Sequence, residues 1–178
     1  NCVNDPFWRT IMENTKRITG IGLLLAVMVI FQSLRILLPM PPWINTFIIG
    51  SLVNTCLLVA LIRYGISASL LLGSIAPLIA SLQGLLIHPI LIIPVALANI
   101  IYIILVKNSL EHLNQVVVAL VGGVGKMMVL FISFYYLLPL LHLPEPFEKM
   151  LLFVMSWPQI LTGFFGVILA LQVGKKLN

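Results

Sequence analysis

A length of 178 residues with 61% hydrophobic and only 8% charged residues excludes a soluble globular domain, because such domains carry about 25% charged residues. A membrane span needs about 20 mostly apolar residues, so the chain has room for about six spans joined by short connections. The net charge of +5 does not indicate nucleic-acid binding, because the basic residues flank apolar runs. Cys2 and Cys56 lie far apart, so neither a disulfide framework nor a metal site is expected.

The chain begins with a polar lead, residues 1–17, in which Met12 is a candidate alternative start. The first apolar run, Ile18–Leu38, ends at a group of prolines because proline has no amide hydrogen to continue a helix. Arg63, Tyr64 and Gly65 predict a tight turn after the second run. The predicted transmembrane helices are 18–38, 43–62, 66–87, 90–106, about 112–139 and about 147–173. We therefore predict an all-α polytopic membrane protein with one six-helix domain, residues 18–174, and a tail, residues 175–178.

Basic residues are distributed unevenly between the two sides of this arrangement. With the N-terminus in the cytoplasm, seven of the ten lysines and arginines lie inside, Arg35 and Lys149 lie outside, and Lys126 lies within the membrane. Cytoplasmic loops carry an excess of basic residues. Both termini are therefore predicted to be cytoplasmic, in the plasma membrane of a prokaryote.

Small residues form stripes on the first and last predicted helices. Gly22 and Ala26 are four residues apart on the first, and Gly163 and Gly166 lie on the last. Such stripes let helices approach closely, either within the chain or against a second membrane protein. Prolines inside the apolar runs free carbonyl groups that need other hydrogen-bond partners. These prolines are Pro77, Pro94 and Pro158.

Polar side chains recur near the middle of several runs. Lys126 lies midway along the fifth run, and no acidic residue in the apolar runs can pair with it. An ionisable side chain at that depth usually lines a cavity or meets a partner, although a lysine solvated by carbonyl groups is the structural alternative. Amides lie at similar depth or nearer the outer face, and Trp157 is a candidate for the pocket wall. The candidate amides are Asn54, Asn99, Gln159, Gln32 and Gln83.

Sequence motifs for ATP hydrolysis and proteolysis are missing. Gly125 and Lys126 could end a phosphate loop, but Leu120 stands in place of its first glycine and Met127 in place of its Ser or Thr. The sequence has neither a Gly-x-Ser-x-Gly nor a His-Glu-x-x-His motif. We therefore expect no enzyme activity, no metal and no cofactor on this chain.

Three segments carry a family resemblance: GSLVNTCLLVALIRYG from Gly50, GSIAPLIASLQGLLIHP from Gly73, and ANIIYIILV from Ala98. With the six predicted helices and the small-residue pair, they resemble the substrate-binding S components of energy-coupling factor (ECF) transporters. The resemblance is to the vitamin-uptake branch that includes riboflavin, folate and pantothenate binders. It implies capture of a vitamin-like solute outside the cell and delivery by toppling of the S component in the membrane.

The same resemblance assigns partners and residue roles. A transmembrane T component and two ATPases would supply energy, and ATP would be used by those partners. The family's docking motif is usually two alanines four residues apart, and Gly22 and Ala26 occupy that place here. The resemblance also assigns ligand contacts to Asn99, Lys126 and Gln159, and makes the loop 39–43 part of a lid.

Two alternatives remain open from the residues. One is a structural or assembly subunit whose small-residue stripes are its whole function, and the other is a small channel. The ligand is also open, because Lys126 can donate to a carboxylate, a phosphate or a carbonyl-rich ring.

Overall fold

The computed structural model describes residues 6–37 and 41–176, and within them the side chains from Met12 onward except that of Pro42. The described residues form helices and contain no β-strand. The α-helices are α1 (Pro6–Leu37), α2 (Pro42–Tyr64), α3 (Ile66–Leu82), α4 (Ile92–Leu110), α5 (Gln115–Leu137), α6 (Glu145–Val154) and α7 (Pro158–Lys176). Short 3-10 turns, Pro89–Leu91 and Leu138–Leu141, precede α4 and follow α5.

Five helical segments are long and apolar enough to cross a membrane, and α6 and α7 together make the fifth. The described chain is therefore an α-helical protein of the multi-pass membrane class. Helix α3 has 17 residues and a length of about 25 Å, slightly less than the hydrocarbon core of about 30 Å. Helix α1 includes the polar residues of the chain from Pro6 onward.

The structure differs from the sequence prediction at several helix ends, and α4 extends to Leu110 instead of residue 106. Helix α3 ends at Leu82 instead of Ile87, and α5 begins at Gln115, where the Asn114 side chain caps it by accepting from the Val117 amide. The last predicted helix is divided at Met155–Trp157 because Pro158 lacks the amide hydrogen that would continue α6. The predicted turn at Gly65 is confirmed, with a φ of 85° that favours glycine.

The glycines of α5 and α7 bring these two helices into backbone contact. A Cβ atom on Gly163 would lie 2.6 Å from the Gly123 Cα, and one on Gly123 would lie 2.6 Å from the Ile160 carbonyl oxygen. The Gly123 Cα and the Ile160 carbonyl oxygen are backbone atoms, so neither can make room for a Cβ atom unless its whole helix shifts. The stripe on the last helix is therefore packed within the chain.

Replacing Gly123 with alanine should lower the free energy of unfolding by about 1–3 kcal/mol, the usual cost of overpacking a core. The measurement is the thermal unfolding of the purified protein in detergent. Gly22→Ala is the matched control, because a Cβ atom on Gly22 would meet no described atom within 4 Å. Equal melting temperatures for the two variants would contradict the α5–α7 contact.

Candidate functional site

A cavity of about 140 Å³ lies between α1, α2, α3, α4, α5 and the α6–α7 junction. Its lining residues come from the end of the bundle that contains the α1–α2, α3–α4 and α5–α6 connections. Towards the other end, side chains such as Leu57, Tyr102 and Val106 pack as a continuous apolar core. The described residues thus form a cavity with a floor. Its polar and charged lining residues are Gln32, Arg35, Asn45, Thr46, Asn54, Asn99, Lys126 and Gln159.

Lys126 lies at the floor of this cavity and is held by two amides from other helices. Its Nζ donates to Asn54 Oδ1 at 2.5 Å and to Asn99 Oδ1 at 2.9 Å. The same atom lies 5.3 Å from the centroid of the Tyr102 ring, close enough for a cation–π interaction. Among the described residues, the ammonium group is therefore solvated by neutral dipoles and has no carboxylate partner.

Asn99 also links the cavity floor to the kink in α3. Pro77 lies inside α3 and has no amide hydrogen to donate to the Gly73 carbonyl, four residues earlier. The Asn99 Nδ2 group donates to that carbonyl at 3.0 Å. The carbonyl freed by Pro77 therefore has a partner, and the two bonds of Asn99 fix its amide orientation.

Gln159 has the same role at the α6–α7 break. Pro158 cannot donate to the Val154 carbonyl, and Gln159 Nε2 donates to it at 3.1 Å. Thr162 Oγ1 donates to Gln159 Oε1 at 3.3 Å. Gln159 lines the cavity, but the hydrogen bonds of its side chain are made to α6 and α7. Pro94, in contrast, lies in the first turn of α4, where the missing amide hydrogen costs little.

Gln159→Leu should destabilise the protein by about 1–3 kcal/mol, because it leaves the buried Val154 carbonyl without its donor. Adding Pro158→Ala should recover part of this loss, because alanine restores an amide hydrogen four residues after Val154. Thermal unfolding of the two single variants and the double variant gives the coupling. If the stability effects of the two single changes simply add in the double variant, Gln159 does not replace the amide hydrogen that Pro158 lacks.

The remaining predicted residues divide between the cavity and its surroundings. Gln32 lines the cavity and donates through Nε2 to the Ala76 carbonyl at 3.1 Å. Gln83 does not line it and donates to Ser33 Oγ at 3.0 Å. Trp157 is half exposed and makes an edge contact with Phe153 outside the cavity. The lid segment predicted at 39–43 lies partly outside the described residues.

Arg35 is a cavity residue that is absent from the predicted site residues. It lines the cavity and donates from Nη2 to Thr46 Oγ1 at 3.1 Å. From the sequence, Arg35 is predicted only as a basic residue of the outer side. Its spacing of three residues from Gln32, which places both on one helix face, was the available signal.

Gly22 and Ala26, the predicted docking pair, are exposed on α1. A Cβ atom on Gly22 would contact no described atom within 4 Å. Glycine is less favourable than alanine in a helix, and nothing in the described packing requires it here. The stripe on α1 thus differs from the one on α7, which is packed within the chain.

The fold and the cavity define a class: an α-helical multi-pass membrane protein with a cationic cavity in one half of its helix bundle. Comparison of the chain with family models, curated proteins and solved structures gave no match in any of the three.

Proposed function

We propose that this protein is the substrate-capture subunit of an ECF-type importer that binds a vitamin-like micronutrient. The observation that carries the proposal is the cavity itself, which has a buried cation at its floor and an apolar core beneath it. A cavity closed at one end suits capture of a solute, whereas a channel needs a continuous path. The resemblance of three segments to S components agrees with this role.

Transport by such a subunit depends on partners. A T component and two ATPases would supply the energy, since the sequence has no phosphate-binding loop of its own. The exposed Gly22 and Ala26 on α1 would contact the T component, and toppling of the bundle would carry the cavity from outside to inside. Gln159 would stabilise the cavity wall at the α6–α7 break. The ligand-binding residues in this proposal are Lys126, Asn54, Asn99 and Gln32.

Co-purification tests the proposal directly. The tagged chain, isolated in mild detergent from the cell that encodes it, should retain a membrane protein of the T type and two ATPase subunits. The same preparation should show ATP-dependent uptake after reconstitution in vesicles. Isolation of the chain alone, together with no bound solute and no thermal shift with any water-soluble vitamin, would overturn the proposal.

The proposed topology has six membrane spans, counting the shorter α3, and places both termini in the cytoplasm of a prokaryotic cell. Six spans place the termini on one side, whereas five spans place them on opposite sides. A reporter fused after Lys176 should therefore read as cytoplasmic, and one inserted after Pro144 should read as external. An external signal from Lys176 would refute this topology.

A structural subunit is the second candidate, and one observation favours it. The two hydrogen bonds from Lys126 to Asn54 and Asn99 tie α5 to α2 and α4, so the lysine could serve the fold alone. In that case the lysine could be replaced without loss of transport.

A further inference from the structure

The cavity is lined by positive charge that no described residue neutralises. Lys126 lies at its floor, Arg35 lies nearer the end of α1, and none of the described lining residues is acidic. The dipoles of Asn54 and Asn99 solvate the ammonium group without cancelling its charge. Because charges interact strongly where water is excluded, a ligand with a negative charge would gain most from this site.

The orientation of the Asn54 amide leaves a second donor beside Lys126. Its Oδ1 must face the ammonium group, because a lysine only donates, so Nδ2 points the other way. Asn54 is fully buried, and no described residue accepts a hydrogen bond from Nδ2. A buried donor without a partner is costly, so an acceptor from outside the chain would satisfy it.

Gln32 supplies an acceptor on another wall. Its Nε2 donates to the Ala76 carbonyl, which fixes the amide orientation and turns Oε1 away from that carbonyl. The residue is 6% exposed, and no described residue donates to Oε1. The residues that line the cavity therefore carry a cation and an unpartnered donor at its floor, and an unpartnered acceptor on the α1 side.

The volume and the remaining lining limit the size of the occupant. A cavity of about 140 Å³ is close to the one of about 150 Å³ that holds benzene in an engineered lysozyme. This volume fits roughly six to ten non-hydrogen atoms. Ile49, Val53, Leu86, Val95 and Leu130 supply apolar walls for the body of such a molecule.

We infer that the cavity binds a small organic anion whose acidic group lies against Lys126 and the Asn54 amide, and whose body carries an N–H or O–H group that donates to Gln32. The inference rests on the proposed function, because it names the ligand class of the same site. It narrows that function from any micronutrient to small amphiphilic acids.

Matched pairs of probes test the need for the charge. Benzoate and benzamide have the same number of non-hydrogen atoms, as do butyrate and butyramide, and only the first of each pair is anionic. Binding is measured by thermal shift and calorimetry of the full chain in neutral phosphatidylcholine nanodiscs. We expect at least one carboxylate to bind at least ten-fold more tightly than its amide. A hydroxybenzoate isomer should bind more tightly than benzoate, and Gln32→Leu should remove that gain.

Variants separate this charge effect from a loss of folding. Asn54→Asp places a carboxylate against the Lys126 ammonium, so it should keep the fold while lowering carboxylate binding at least ten-fold. Arg35→Gln should also weaken carboxylate binding. Lys107→Gln, which removes an exposed charge at the end of α4, is the control and should have no effect.

Equal binding of amides and carboxylates, or tight binding of neutral solutes only, would overturn the inference. An unchanged carboxylate affinity in Asn54→Asp would also overturn it. So would a thermal shift in nanodiscs of anionic lipid if none of the free acids gave a shift, because the anion would then be a lipid headgroup. If the chain still co-purifies with its partners and imports a neutral solute, the proposed function stands and only the anion inference fails. If it has neither partners nor ligand, the proposed function fails as well.

Discussion

Lys126→Met should lower the affinity for the transported solute by about 100-fold or more, which corresponds to about 2.7 kcal/mol of binding free energy. Removing one member of a buried, hydrogen-bonded charge pair costs about 2–5 kcal/mol, so the expected loss lies within this range. Methionine is close to lysine in length, and it loses the cation–π contact of Nζ with the Tyr102 ring. The change therefore removes the charge and the donors while leaving the volume of the side chain nearly unchanged.

The stability of this variant should change less than its affinity. Asn54 Oδ1 and Asn99 Oδ1 lose their donor, which destabilises the fold, but the cost of burying an ammonium group disappears as well. Uptake by cells that contain the chain and its partners measures the function, and Lys107→Met is the control for loss of a lysine. Unchanged uptake in Lys126→Met would favour the structural-subunit alternative.

Introducing leucine at both Gly22 and Ala26 should abolish uptake while leaving ligand binding and melting temperature close to those of the wild type. Both positions are exposed, and Gly22 has open space around it, so the chain itself can accept the larger side chains. A partner helix that approaches these positions closely cannot accept them. The expected loss of uptake is therefore more than ten-fold.

The control for the double variant is Val124→Phe, which adds bulk at an exposed position of α5. It should leave uptake and partner retention unchanged, because α5 is not assigned to the docking surface. Measurements are uptake, melting temperature and co-purification of the T component. If the Gly22/Ala26 variant retains its partners and its uptake, α1 is not the docking surface.

The cavity floor could be predicted from the sequence because its residues interrupt apolar runs near their midpoints. Asn54, Asn99 and Lys126 lie at similar depth in three helices, and the structure brings them into hydrogen-bond contact. A buried lysine without a carboxylate partner must donate its hydrogen bonds to neutral acceptors. The side-chain amides of Asn54 and Asn99 were the neutral acceptors predicted at the same depth. The two ends of α2 were also predictable from single residues. Proline favours the start of a helix because it lacks an amide hydrogen, and glycine favours the positive φ found at Gly65.

Other features depended on three-dimensional geometry that one-dimensional patterns do not contain. The sequence predicted one continuous helix through Trp157, which would turn its side chain towards the pocket. Trp157 instead lies at the break between α6 and α7, and its side chain lies outside the cavity. Gln159 is buried as expected, but the break makes it a donor to Val154, a role that no spacing rule indicates. Arg35 was assigned to the outer flank by charge counting, although its spacing from Gln32 places both residues on the face of α1 that lines the cavity.

Native mass spectrometry of the intact chain, released from nanodiscs after mild purification, shows whether the cavity holds an organic acid. We expect one small-molecule adduct per wild-type chain, identified by its fragmentation as an organic acid, and loss of that adduct in Lys126→Met but not in Lys107→Met. A wild-type chain that has no adduct and also takes up none of the small organic acids added in excess would contradict an anion-binding cavity.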